Sequence, residues 1–276
     1  MSDDGQEGFL LRSEGCRLVG VLFKAWGRGT KPTAVLLHGL PGIEQNHDLA
    51  HALRDHGWNT LIFHYRGCWG SEGAYTVNGL AEDVRAAIDE LTSGRHPKVD
   101  PERIVLIGHS MGGWAAIREA CTDARVKAVA ALGAAADPGT LPFDTPAAAS
   151  HLTGFLNGIT PESFIAQWRA LGHGGSALAV AARISPRPLL IVHGGADDVV
   201  PAAQALALHD RAADPRKLVV HPDANHSFTR HRAWLQEVLL DWLSLLEITQ
   251  LRAQTPPAKR SWSRRTLPVP QAAGIE

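Results

Sequence analysis

A chain of 276 residues is long for one core and short for two. Apolar residues make up 45% of it and charged residues 20%, enough to bury a core and to exclude wholesale disorder. With 27 basic and 28 acidic side chains the net charge is −1, which argues against a nucleic-acid partner, since phosphate binding needs a basic surplus. No run approaches the roughly 18 apolar residues of a membrane-spanning helix, so no membrane span is expected. The start, Met1 to Gly8, is acidic and polar, unlike a secretory leader. Cys16, Cys68 and Cys121 are widely spaced and form no CxxC pair, so the expectation is a reduced, cytoplasmic protein without structural disulfides or a cysteine metal site.

In chain order, residues 9–25 hold two apolar runs around Glu14-Gly15, the pattern of a hairpin. A Gly- and Pro-containing turn leads to the run 34–38, apolar on both faces as in a buried strand. A helix is predicted over 44–56, a strand over 60–64, and a helix over 80–91 from the apolar spacing at 80, 84, 87, 88 and 91. Residues 104–107 form another buried strand, with a helix over 111–120 behind it. Further strands fall at 126–132, 189–192 and 218–220, and an amphipathic helix at 234–248. This alternation implies an α/β protein with a mostly parallel sheet flanked by helices, in which ligands sit beyond the carboxyl ends of the strands. Two regions break the rhythm. Residues 137–185 are rich in Pro and Gly and hold one helix pattern (161–171), read as a small cap insertion. Residues 252–276 carry four prolines and five basic residues, Arg252, Lys259, Arg260, Arg264 and Arg265, against one acidic, read as a tail outside a main domain of residues 1–251.

The strongest local signal is Gly108-His109-Ser110-Met111-Gly112, a GxSxG pattern between a strand and a helix. So tight a turn forces the serine into a strained backbone conformation, and side chains two positions to either side would collide. It pushes the Ser110 oxygen clear of the chain and leaves the Met111 N–H at a helix start, where it can hold an oxyanion. A serine hydroxyl needs a base. Of the late histidines, His221 ends a strand, whereas His226 lies in the following loop and can reach across, so His226 is favoured. The base needs an acid to fix its tautomer. Asp197 and Asp198 both follow the strand 189–192, and Asp197 is favoured because Pro201 makes Asp198 a neighbour of a helix start. The second oxyanion donor falls to Leu40 in His38-Gly39-Leu40-Pro41-Gly42, since Gly39 permits close approach and Pro41 has no N–H.

These motifs resemble the α/β-hydrolase fold family: HG-x-P-G after an early strand, GHSMGG, HGGADDVVP and the late histidine loop, together spanning residues 38 to 226. The segment Phe63 to Gly73 resembles a loop of bacterial serine esterases and of serine aminopeptidase-like and prolyl-oligopeptidase-like hydrolases. His64 stands where many such relatives carry Asp or Asn. The resemblance places the acid on Asp197 and the base on His226, and Ser110 disfavours the members that use an aspartate or cysteine nucleophile.

His47-Asp48-Leu49-Ala50-His51 mimics a zinc-protease helix, but its acid is a methylene short and a third ligand is missing, so no metal is expected. His109 reads as a packed neighbour, and His38 and His193 as braces of their loops. Trp69, Phe143, Phe155 and Trp168, with Met111, are candidates to line an acyl pocket. The sequence thus points to a cofactor-free hydrolase of small carboxylic esters through a Ser110–His226–Asp197 triad. A peptidase or amidase, a thioesterase or acyltransferase, and a catalytically silent binding module are the competing readings. Nothing in the sequence fixes the oligomeric state.

Overall fold

The computed structural model describes residues 5–43 and 46–254. β1 (Gly5–Ser13) and β2 (Cys16–Lys24) form the expected hairpin, closed by Glu14 at φ 48° and Gly15 at φ 78°. Two consecutive left-handed residues match the twist of the flanking strands, which is why Glu-Gly closes this turn. Then come β3 (Lys31–Leu37), α1 (His47–Asp55), β4 (Asn59–Phe63), α2 (Gly79–Leu91), β5 (Val99–His109), α3 (Met111–Ala120) and β6 (Val126–Leu132). After an insert follow β7 (Leu189–Gly194), α6 (Ala203–Arg211), β8 (Arg216–His221) and α7 (Arg232–Gln254).

The eight strands form one sheet in the order β1-β2-β4-β3-β5-β6-β7-β8. β2 runs antiparallel to both β1 and β4, and every pair from β4 through β8 is parallel. The central strands are buried throughout, as their near-continuous apolar runs require: β4 has no exposed residue, and Ile104–Ile107 and Ala128–Leu132 are all at most 2% exposed. Buried Asn59 fastens the sheet's lower edge. Its Oδ1 accepts from Ala25 N at 3.0 Å, and its Nδ2 donates to Lys98 O at 2.9 Å and Thr33 Oγ1 at 3.2 Å.

The stretch read as a cap holds more structure than its one predicted helix. Between β6 and β7 lie α4 (Pro146–Thr153), α5 (Pro161–Ala170) and five 3-10 turns. α4 escapes a periodicity search because Ala147, Ala148 and Ala149 carry no strong apolar face. Both helices begin on the same device: Thr145 and Thr160 accept from Ala148 N and Ser163 N, and each is followed by a proline at the first helical position.

The chain divides into two units, residues 1–240 and 241–276. The first carries the sheet; of the second, residues 241–254 continue α7. The expected boundary at residue 251 therefore falls inside a helix, and residues 255–276 of the expected tail lie outside the described residues. Among the described residues no helix is long and apolar enough to cross a membrane.

Candidate active site

β5 ends at His109, α3 begins at Met111, and Ser110 alone makes the turn, at φ 55° and ψ −121°. This is a costly region for a residue with a side chain. A Cβ at Gly108 would overlap Gly112 O, and one at Gly112 would overlap Leu37 O, so backbone packs directly on backbone at both positions. The turn is held from behind by Ser110 N donating to Leu132 O at 2.9 Å and by Ala135 N donating to Ser110 O at 3.1 Å. Ser110 stands at the helix N-cap, yet its hydroxyl does not cap the helix and forms no hydrogen bond among the described residues. The oxygen is left free for other work.

Behind the sheet's carboxyl edge, Asp197 follows β7. Its carboxylate is fully buried and uses both oxygens. Oδ1 accepts from Val199 N at 2.9 Å and Val200 N at 2.8 Å; Oδ2 accepts from His226 Nδ1 at 2.8 Å, with His193 Nε2 at 3.3 Å. Burial alone would push this carboxyl up. The hydrogen bonds from His193, His226 and Val200, with the charge of His226, outweigh it and hold the group well below the usual carboxylate range. His193 Nε2 also lies 2.9 Å from Val200 O, and a carbonyl can only accept, so that nitrogen carries the proton. Asp198 is exposed.

His226 sits in the loop between β8 and α7. His109 Nε2 donates to its carbonyl at 2.9 Å, and the two rings lie 4.8 Å apart. The residue before Ser110 thus holds the backbone of the candidate base. Burial pushes the His109 imidazole down to about 3, and the nearby His226 adds to this. The loop can close over β7 because Gly194 and Gly195 face Ala224 and Pro222 backbone atoms with no room for a Cβ. His221, the alternative base, is turned towards the start of α7, its ring 3.9 Å from that of His231 and 4.8 Å from that of Trp234.

The loop His38–Gly42 lies against Ser110: a Cβ on Gly39 would come within 2.8 Å of Ser110 Cβ. His38 Nδ1 donates to Gly39 O at 2.8 Å. In a trans peptide the carbonyl and the next N–H point in opposite directions, so this bond aims Leu40 N–H away from His38. Neither Leu40 N–H nor Met111 N–H is hydrogen-bonded among the described residues. Burial pushes the His38 imidazole down to about 4 against the pull of its bond to Gly39, with His64 lowering it further. His38 therefore stays neutral near pH 7.

The aromatic candidates separate into two groups. Trp168 is 1% exposed, its Nε1 donates to Leu141 O at 3.3 Å, and its ring packs on Phe143 and Phe164 inside the insert. Trp69 and Phe155 are 41% and 39% exposed, with ring centroids 6.1 Å apart. They border an open groove of about 590 Å³ between residues 67–72 and 154–157. One contact had no signal in the motifs: Trp69 Nε1 donates to Pro41 O at 2.9 Å, linking the groove to the loop beside Ser110. The zinc-like helix is otherwise engaged. His47 and His51 pack edge-on against Phe23, and Asp48 pairs with Arg232. Among the described residues no three His, Cys, Asp or Glu side chains group as metal ligands.

A mostly parallel eight-stranded sheet with a strained serine on a strand–helix turn defines the α/β-hydrolase class. The profile of the Alpha/beta hydrolase family matches residues 34–238, and the chain belongs to that family. It is 30% identical over 225 residues to an uncharacterized protein of Mycobacterium tuberculosis, covering 81% of this chain and 73% of that one. In fold it is similar to Est1E from Butyrivibrio proteoclasticus with ferulic acid bound, with a TM-score of 0.70 at 22% identity, covering 87% of this chain and 99% of that one. The esterase EaEST from Exiguobacterium antarcticum gives a TM-score of 0.66 at 20% identity, covering 86% and 100%.

Proposed function

We propose that this hydrolase cleaves small carboxylic esters through an acyl-enzyme on Ser110. The observation that carries the reading is the Asp197–His226 pair, joined at 2.8 Å, with the His226 ring 4.8 Å from that of His109, the residue before the strained serine. His226 takes the Ser110 proton on Nε2 as the oxygen attacks the acyl carbon. Asp197 keeps the proton on Nδ1 and stabilises the imidazolium. Leu40 and Met111 N–H groups hold the oxyanion, the alcohol leaves with the proton from His226, and water repeats the sequence on the acyl-enzyme. No cofactor enters this scheme. The likeness in fold to a named esterase and to a ferulate-bound protein supports an ester substrate. The insert acts as a cap, and Trp69 and Phe155 line the approach for the acyl group. Cys16, Cys68 and Cys121, which form no disulfide, suit a reducing, cytoplasmic setting.

The test is a p-nitrophenyl ester chain-length series with wild type and Ser110→Ala, paired with a fluorophosphonate probe. We expect turnover and labelling in wild type and neither in the variant. No labelling and no turnover in wild type overturns the reading, and turnover of aminoacyl anilides far above esters moves it to a peptidase.

A further inference from the structure

We propose that Trp69 is a positioning residue that aims the Leu40 N–H at the oxyanion; the inference rests on the ester-hydrolase reading above. Trp69 lies outside the Ser–His–Asp set, on the turn between β4 and α2. Its backbone has φ 44°, a left-handed conformation that is unfavourable for a tryptophan and persists where the surroundings enforce it. Here they do. Cys68 N donates to Tyr65 O and Ser71 N to Cys68 O, both at 2.9 Å. Ser71 Oγ donates to His64 O at 2.7 Å and accepts from Val19 N at 3.0 Å, and Cys68 bridges to Leu156 of the insert. The indole is thus mounted on a frame tied to β2 on one side and to the insert on the other.

What the frame delivers is one hydrogen bond, from Trp69 Nε1 to Pro41 O at 2.9 Å. An indole 41% exposed could satisfy its N–H with water, so packing alone does not demand this partner. The bond completes a two-point clamp. His38 holds Gly39 O, Trp69 holds Pro41 O, and Leu40 is the residue between the two pinned carbonyls. Gly42 closes the clamp: a Cβ there would stand 2.7 Å from both Trp69 Nε1 and the His38 ring, so the two side chains meet over a position that only glycine leaves open. Because Trp69 also borders the groove with Phe155, the same indole links the substrate's approach to the donor that stabilises its transition state.

A ring that merely lines the groove and one that aims the donor respond differently to Trp69→Phe, which keeps an aromatic face and removes the N–H. If Trp69 positions Leu40, kcat falls about tenfold on both p-nitrophenyl acetate and p-nitrophenyl octanoate, less than the ~10²–10³ for losing an oxyanion donor outright. Affinity for a trifluoromethyl ketone, whose adduct needs the same donors, falls by the same factor, while KM changes little. Gly42→Ala, which forces both rings off their carbonyls, gives the same pattern without altering Trp69, and thermal midpoints of both variants keep misfolding visible. Wild-type kcat in either folded variant, or a Trp69→Phe effect confined to KM for octanoate, overturns the inference. Wild type labelled by fluorophosphonate while Trp69→Phe is fully active overturns this inference alone; wild type that is never labelled overturns the ester-hydrolase reading beneath it.

Discussion

At Ser110 the backbone accepts a φ of 55° because its two flanking glycines let α3 sit directly on β3 and β5. The same crowding makes Gly112 irreplaceable. Gly112→Ala puts a methyl group into Leu37 O and is expected to cost more than about 4 kcal/mol, read as loss of soluble protein or a collapsed urea midpoint. Asp197 is a contrasting case, where chemistry can be removed while shape is kept. Asp197→Asn preserves the volume but lets the amide donate to His226 Nδ1, favouring the wrong tautomer. The expected result is a fall in kcat of about 10⁴-fold with a wild-type fold by circular dichroism; a loss under tenfold would sink the assigned role. His193, read from sequence only as a loop brace, also stands 3.3 Å from Asp197 Oδ2. Its position before Gly194 at a strand end gave no hint that it faces Asp197.

Among the elements, strands β3 to β7 announce themselves because burial on both faces leaves continuous apolar runs. The insert does not, because α4 is built on alanine and its buried side is small; its Thr-Pro start was the available signal, shared with α5. Thr160→Ala removes the cap on Ser163 N and should cost about 1 kcal/mol, seen as a small drop in urea midpoint. Asn59 matters more, since it joins β4 to the end of β2 and to the segment entering β5. Asn59→Leu leaves Ala25 N–H without its buried partner and should destabilise by about 1–3 kcal/mol in urea denaturation, with kcat of the folded fraction near wild type. A midpoint equal to wild type would show that Asn59 is replaceable.

For the molecule as a whole, buried histidines are expected to lower stability as the pH falls below neutrality. His38 and His109 are pushed from 6.5 to about 4 and about 3 in the folded chain. Between those values and 6.5 the unfolded chain binds protons that the folded chain refuses, so stability falls as pH is lowered through that window. Asp197, held low by its partners, adds a loss below its ordinary value of 3.8, while Asp83 and Glu119, pushed up by burial, oppose the trend at the acid end. The urea midpoint should therefore drop between pH 6.5 and 4, and drop less in His109→Gln. A midpoint constant over that range would remove buried histidine as the cause.

The sequence by itself determined the parallel α/β order, the tight strand–helix turn at Ser110 and the placing of Asp197 and His226 in loops after later strands, because each follows from local rules: burial on two faces, a turn too tight for side chains, and loops at strand ends. Choosing Asp197 over Asp198 and His226 over His221 took both local position and family likeness, and the structure brings the favoured pair to 2.8 Å. Only the tertiary structure decided what the aromatic residues do. Trp168 and Trp69 look alike in sequence, yet one is sealed inside the insert and the other reaches from the β4–α2 turn to a loop 28 residues earlier. Such contacts depend on how far distant segments are brought together, and neither periodicity nor motif encodes that distance.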